Sequence, residues 1–220
     1  RTLGFELSEI LPVLATIDAP PGRFESVDFK QPFSVIIDFA HTPDGLAFVL
    51  DAALDMVGGC KDRLHVVFGC GGDRDQSKRS KMGEIGELYS NNLYITSDNS
   101  RSEQSDHIIQ HIIDGVTDPS VIKLTHSDRY ASIQRALVSA HQGDVVVIAG
   151  KGHEMMQHSH GFSYSFNDKQ VCEQLLSNMQ FFQSNIDWQL DTINDNTNVV
   201  FFKKHGSIDV NGCVGPVLPK

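Results

Sequence analysis

The chain has 220 residues, 40% hydrophobic and 21% charged, the proportions of an ordinary globular protein: one good-sized domain or a domain with appendages. Its 18 Lys and Arg stand against 28 Asp and Glu, and the resulting formal charge of −10 excludes general affinity for nucleic acid or membrane surfaces. No apolar stretch approaches the roughly 20 residues of a membrane span, and Cys60, Cys70, Cys172 and Cys213 show neither metal-ligand spacing nor a dense disulfide framework, so a reduced, cytosolic setting is the default.

Residues 1 to 20 open with Leu7, Ile10, Leu11 and Leu14 at helical spacing, interrupted near Pro12 and ended by Pro20-Pro21-Gly22. There is no signal peptide and no initiating Met before Arg1, so a fragment of a longer protein is expected. A regular rhythm follows. Apolar runs that read as strands lie at Ser34–Ala40, Leu64–Cys70, Leu93–Ser97, Val121–Thr125 and Asp144–Gly150. Helical spacing occupies Pro43–Val57, Lys78–Tyr89, Gln104–Val116, Asp128–Ala140 and, last, Asp168–Asn178. Strands such as Val145-Val146-Val147-Ile148-Ala149 are apolar on both faces, which requires burial on both sides. Alternation of such strands with helices predicts an α/β fold with a mostly parallel sheet, right-handed crossovers and helices on both faces. From Phe181-Phe182 onward, through Trp188, the Asn and Asp run at 194 to 198, and Val199-Val200-Phe201-Phe202, the rhythm stops; residues 181 to 220 are expected to be a tail or small appendage.

In such folds ligands sit outside the carboxyl ends of the strands. Here the strand ends lead into Asp38-Phe39-Ala40-His41-Thr42-Pro43-Asp44, Gly69-Cys70-Gly71-Gly72-Asp73-Arg74-Asp75, Ser97-Asp98-Asn99-Ser100-Arg101 and Gly150-Lys151-Gly152-His153-Glu154. Taken singly, each has a structural reading: a Gly-rich connection, a capping or packing His41, an Asx turn at Asp98-Asn99, a helix-entry turn at Gly150–Gly152. Together, on one edge of one sheet, they point to a ligand site.

The chemistry suits a zwitterion beside a phosphorylated group. Arg74 and Arg101 offer forked donors for carboxylates. Asp98 and Glu154 can hold an ammonium, and Asn99 both donates and accepts. Lys78, Arg79 and Lys81 concentrate positive charge near an anionic ligand, and Lys151 looks like a phosphate contact. The pattern G-x-x-x-x-G-K-[ST] is absent, so nothing here obviously cradles a triphosphate. No Ser-His-Asp or Cys-His arrangement is evident. His153, His158 and His160 cluster, and the reading of a solvated loop outweighs that of a metal site.

Five motifs, Gly22-Arg23-Phe24-Glu25 followed by the four strand-end clusters, resemble the Mur ligase family in order and spacing over about residues 7 to 178, and within it the branch that adds the third residue of the peptidoglycan stem peptide. The resemblance implies that residues 1–22 end a central ATP-binding domain and that 23–180 form a Rossmann-like C-terminal domain. The P-loop then belongs to an upstream part, without which the chain is expected to be inactive. The implied reaction is ATP-dependent amide-bond formation through an acyl phosphate, with Mg²⁺ bound mainly upstream and the C-terminal domain presenting the amino acid. By resemblance, Arg74, Asp98, Asn99, Ser100, Arg101, Gly150 and Glu154 form the pocket for the incoming amino acid, and Arg23, Asp38 and His41 face the nucleotide; no catalytic group and no metal ligand are assigned. Members that use meso-diaminopimelate carry an arginine where Arg101 stands, to pair the carboxylate at the far end of that substrate, which L-lysine lacks. The implied partners are UDP-MurNAc-L-Ala-D-Glu, meso-diaminopimelate and ATP, with no nucleic acid or membrane, for a cytoplasmic monomer.

Three departures stand out: Ser100 in place of the family's usual proline, Phe39 in place of tyrosine, and Met155-Met156 in place of a more polar pair. Alternative readings are the L-lysine-adding ligase, a non-catalytic ligase-derived partner-binding protein of the plastid kind, and a folate-type polyglutamate ligase. The last does not explain Arg101 and the Gly150–Glu154 motif together.

Overall fold

A computed structural model describes residues 4, 6–14, 20–179, 188–193 and 200–204. The apolar runs form strands β1 (Glu25–Val27), β2 (Ser34–Asp38), β3 (Leu64–Phe68), β4 (Asn92–Thr96), β5 (Ile122–His126) and β6 (Val145–Ala149), joined into one six-stranded sheet in the order β1-β2-β6-β3-β4-β5. All neighbours are parallel except β1, which runs antiparallel along β2 with Ser26 opposite Ile36. The two innermost strands, β6 and β3, are buried at every residue, as their unbroken apolar runs require. Edge strand β5 is largely exposed and alternates in sequence.

Successive residues of the strands feed opposite cores. Ile36, Val66, Phe68, Val147 and Ala149 pack with Leu46, Leu50, Met82 and Ile112 from helices α2 (Pro43–Met56), α3 (Lys78–Tyr89) and α4 (Ser105–Ile113). Val35, Ile37, Val67, Val146 and Ile148 pack with Ile133, Leu137, Val171 and Leu176 from α5 (Arg129–Ser139) and α6 (Asp168–Asn178). Each such side chain contributes about 1.5–3 kcal/mol by leaving water. Local chemistry starts the helices: Thr42 Oγ1 accepts from Gly45 N with Pro43 at the first position of α2, and Asp128 and Asn167 cap α5 and α6 through Tyr130 N and Gln170 N.

Three features differ from the sequence reading. Helix α1 (Leu7–Leu14) runs through Pro12, because a proline at its sixth position forfeits one hydrogen bond close to the end of a short helix. The strand β1 is three residues long, too short for a periodicity to register. The segment bearing His158 and His160, read together with His153 as a solvated loop, forms an antiparallel hairpin of β7 (Met156–Ser159) and β8 (Phe162–Ser165), turned at His160-Gly161 with φ of 49° and 78°. Of residues 181–220, only β9 (Trp188–Ile193) and β10 (Val200–Lys204) lie among those described; they pair antiparallel, and the rest of the expectation for this segment falls outside the described residues. Among the described residues, no helix is long and apolar enough to cross a membrane.

Candidate functional site

The four polar strand-end segments meet at one edge of the sheet, locked backbone to backbone. Gly150 N donates to Asp38 O at 3.1 Å, joining the ends of β6 and β2, and Gly72 N donates to Asn99 O at 2.8 Å, joining the loops after β3 and β4. The glycines are there because nothing larger fits: a Cβ on Gly72 would lie 1.9 Å from Ser100 O, and one on Gly22 would lie 2.2 Å from His153 N. Gly22 thereby abuts the Gly152-His153 backbone and ties the Gly22–Glu25 segment to the loop after β6.

Of the seven residues expected at the amino-acid pocket, Asn99, Arg101 and Glu154 form a connected cluster. Asn99 Nδ2 donates to Glu154 Oε2 at 2.8 Å, and Arg101 Nη1 donates to Gly72 O at 2.7 Å and Asn99 O at 3.3 Å. Arg101 sits at φ 53°, a conformation that costs a non-glycine residue about 1 kcal/mol or more. The hairpin holds it there: Arg101 N donates to His158 O and His160 N donates to Arg101 O. Ser100, fully buried, donates its hydroxyl to Ser159 Oγ at 2.9 Å, so its side chain faces the hairpin and secures the loop. The Asp98 carboxylate accepts from Asn99 N and lies against Gly150, whose Cβ would meet Asp98 Oδ2 at 2.9 Å. Arg74 stands exposed at the rim; its Nη1 donates to Asp73 O at 3.2 Å, and a Cβ at Gly71 would touch both Arg74 and Arg101. Burial of Glu154 disfavours its charged form, but hydrogen bonds from Lys151 and Asn99 and the Lys151 charge outweigh that and hold its carboxyl below the usual range.

Two basic residues read as ligand contacts are structural. Lys151 is completely buried, its ammonium turned in toward Asn99, Glu154 and the Met156 carbonyl instead of out toward a phosphate. Arg79 is also completely buried; its Nη1 and Nη2 donate to the two Glu103 carboxylate oxygens at 2.9 and 2.8 Å, and it reaches Gly71 O. A solvated basic run and a buried one look alike in sequence, and the partner Glu103 is 24 residues away. Sequence reasoning also missed Arg129. Completely buried, it pairs with Asp168 and donates to Ser97 O and Ala149 O, pinning the ends of β4 and β6 beneath the site. The Asp128-Arg129 pair after β5 was the available signal, since a cation in the first turn of a helix works against the helix dipole and calls for a partner.

Arg23, Asp38 and His41 line a separate cleft of about 470 Å³ with Phe24, Phe39, Phe48 and Val49. The Arg23 guanidinium lies 4.6 Å from the Phe39 ring centroid, and the Phe39 ring meets His41 edge-on at 4.6 Å. Asp38 spends its oxygens on Phe24 N and Ala40 N at 2.7 and 2.8 Å, fixing the cleft wall. His41 Nδ1 lies 2.9 Å from Phe39 O; a carbonyl can only accept, so Nδ1 is the donor. Phe48 is 80% exposed on the cleft wall. An aromatic floor with a guanidinium beside it fits a nucleotide base with its phosphates. Among the described residues there is no group of three or more His, Cys, Asp and Glu that could hold a metal ion.

An open, mostly parallel sheet with paired cations and carboxylates at its strand ends is a ligand-presenting α/β domain of Rossmann-like form. The chain belongs to the Mur ligase, glutamate ligase domain family, which matches residues 22–152. The hairpin β7–β8 and helix α6, which complete the pocket and one core, lie beyond that match. The chain is 46% identical over 176 residues to the UDP-N-acetylmuramoyl-L-alanyl-D-glutamate–2,6-diaminopimelate ligase of Syntrophomonas wolfei, a match covering 79% of this chain and 35% of that protein. It is 42% identical over 169 residues to the ligase of the same name from Geobacillus kaustophilus, covering 77% and 34%. A solved structure of a ligase of that name superposes with a TM-score of 0.64 at 33% identity, over 80% of this chain and 35% of the other. The chain thus spans about a third of the length of these relatives.

Proposed function

We propose that this chain is the C-terminal part of an ATP-dependent ligase that adds meso-diaminopimelate to UDP-MurNAc-L-Ala-D-Glu. The observation that carries the reading is Arg101, held by the hairpin at a strained φ of 53° with its charge felt by the Glu154 carboxylate. A cation and an anion at one pocket complement a carboxylate and an ammonium on one carbon, the far end of meso-diaminopimelate; L-lysine offers the ammonium alone. The Arg74 guanidinium at the rim adds a second donor for carboxylate.

ATP supplies the phosphoryl group that turns the D-glutamate carboxylate into an acyl phosphate for the amine to attack. This chain's share is to orient that amine and to cover the nucleotide through Arg23, Phe39 and His41. The phosphoryl step, including Mg²⁺, falls to the upstream part, so the chain by itself is inactive. Residues 1–22 end the central domain, 23–180 form the C-terminal domain, and the whole acts as a cytoplasmic monomer. The test is the amino-acid preference of an enzyme carrying this domain with the upstream regions its relatives have: ADP release should depend on meso-diaminopimelate. A preference for L-lysine would overturn the substrate, and amino-acid-independent or absent ADP release would overturn the activity.

A further inference from the structure

Lys151 is flanked by Gly150 and Gly152 at φ of 116° and 51°, and this pair of turns carries its side chain into the protein, where it has no exposed surface. An ammonium has three protons, and three acceptors meet it: Met156 O at 2.8 Å, Glu154 Oε2 at 3.0 Å and Asn99 Oδ1 at 3.3 Å. Asn99 Oδ1 also accepts from His158 N at 2.9 Å. With two donors on that atom, the amide cannot flip without setting its NH₂ against an ammonium and an N–H. Nδ2 is thereby aimed at Glu154, which receives it on Oε2, the oxygen that also receives Lys151. Oε1 takes no hydrogen bond from the described residues, and the Glu154 side chain remains 35% exposed.

We infer that Lys151 is a positioning residue of the amino-acid site, setting the amide orientation of Asn99 and keeping Glu154 an anion with one oxygen reserved for the substrate ammonium. This rests on the substrate reading above for its ligand and on the geometry alone for its hub. A buried ammonium with satisfied partners is stable, but removing it strips Glu154 of its hydrogen-bonded counter-charge, leaving only the Arg101 charge, and leaves Asn99 Oδ1 held by His158 N alone. The loss then falls on amino-acid binding and spares the nucleotide cleft, whose lining residues Lys151 is not among.

The test is K151M, which keeps the stem and deletes the charge, in an enzyme carrying the upstream regions. The KM for meso-diaminopimelate should rise about tenfold or more, while the KM values for ATP and UDP-MurNAc-L-Ala-D-Glu stay within about twofold and kcat at saturation within about threefold. Equal changes in all three KM values, or none, would overturn the inference. An independent arm uses the wild-type protein, so it holds even where K151M does not fold. The Asn99 side-chain amide protons, followed by NMR, should exchange about tenfold or more slowly than those of exposed Asn178. Equal exchange would overturn the hub. Absence of turnover with meso-diaminopimelate in the wild-type enzyme counts against the substrate reading alone, because the exchange arm needs no substrate.

Discussion

Arg129 and Asp168 form a two-pronged ion pair sealed from solvent, Nε to Oδ1 at 2.7 Å and Nη2 to Oδ2 at 2.8 Å, directly under the carboxyl ends of β4 and β6. Breaking a buried pair leaves one charge uncompensated, so R129M or D168N should each cost about 3–5 kcal/mol. The double change R129M/D168L should recover most of that. Urea denaturation of the three variants checks it, and additive losses in the double variant would contradict the account.

Arg101 is expected to set amino-acid choice. In the complete enzyme, R101M should lower kcat/KM for meso-diaminopimelate about a hundredfold, because a substrate carboxylate would be buried without its partner, and should change that for L-lysine far less. Parallel steady-state assays with the two amino acids measure the ratio.

Gly72 should tolerate no side chain. The Cβ of G72A would sit 1.9 Å from Ser100 O, and Gly72 also exchanges bonds with Asn99 and Arg101. The loops must part, at a cost of about 3 kcal/mol. Thermal melts and meso-diaminopimelate KM together should show reduced stability and weakened amino-acid binding, with ATP binding spared.

The Cys70 thiol lies within the glycine turn yet should be inert. Burial pushes it up to about 12, more than Lys78 and Arg79 nearby can offset, so the reactive thiolate is scarce at pH 8. Full burial also raises Cys172 well above the ordinary thiol value. Iodoacetamide at pH 8 followed by peptide mapping should leave both unmodified in the native protein and modify both in urea.

Acid should act through Asp144, at the end of the sheet opposite the site. Burial opposes its charge, but His65, His141 N and Arg63 outweigh that and hold the carboxyl below its ordinary 3.8. A carboxyl lowered in the native state adds stability above its ordinary value and loses it as pH falls through the native one. D144N should therefore cost about 1–3 kcal/mol near pH 7, and the gap to wild type should close below about pH 4. Urea titrations across pH give the comparison; a gap constant with pH would refute it.

The alternation of strands and helices was legible because Val145–Ala149 and Leu64–Phe68 are continuous apolar runs that only burial on both faces explains. The convergence of four polar segments at one edge followed from parallel strands sharing a direction. Sheet order was not legible: nothing in β6 marks it for insertion between β2 and β3, since its partners sit about 80 and 110 residues away and any of the apolar runs could pair there. The hairpin was hidden by its polar composition, though His160-Gly161 is a two-residue turn signal of the Asn-Gly kind. Arg79 and Arg129 went unread because their burial depends on distant carboxylates, Glu103 and Asp168, that no local pattern announces, and Lys151 because a Lys-Glu pair three residues apart looks the same solvated or buried.

Gly22 and Gly152 meet main chain to main chain, a Cβ on the first falling 2.2 Å from His153 N and one on the second 2.8 Å from Gly22 O. A side chain that outgrows its neighbour can be accommodated when the neighbour shrinks, and lineages drift along such paired exchanges. Here neither partner has a side chain left to give up. The two glycines, 130 positions apart, leave this chain no compensating route, and the segment bearing Arg23 and the loop bearing Lys151 have to be inherited as one part.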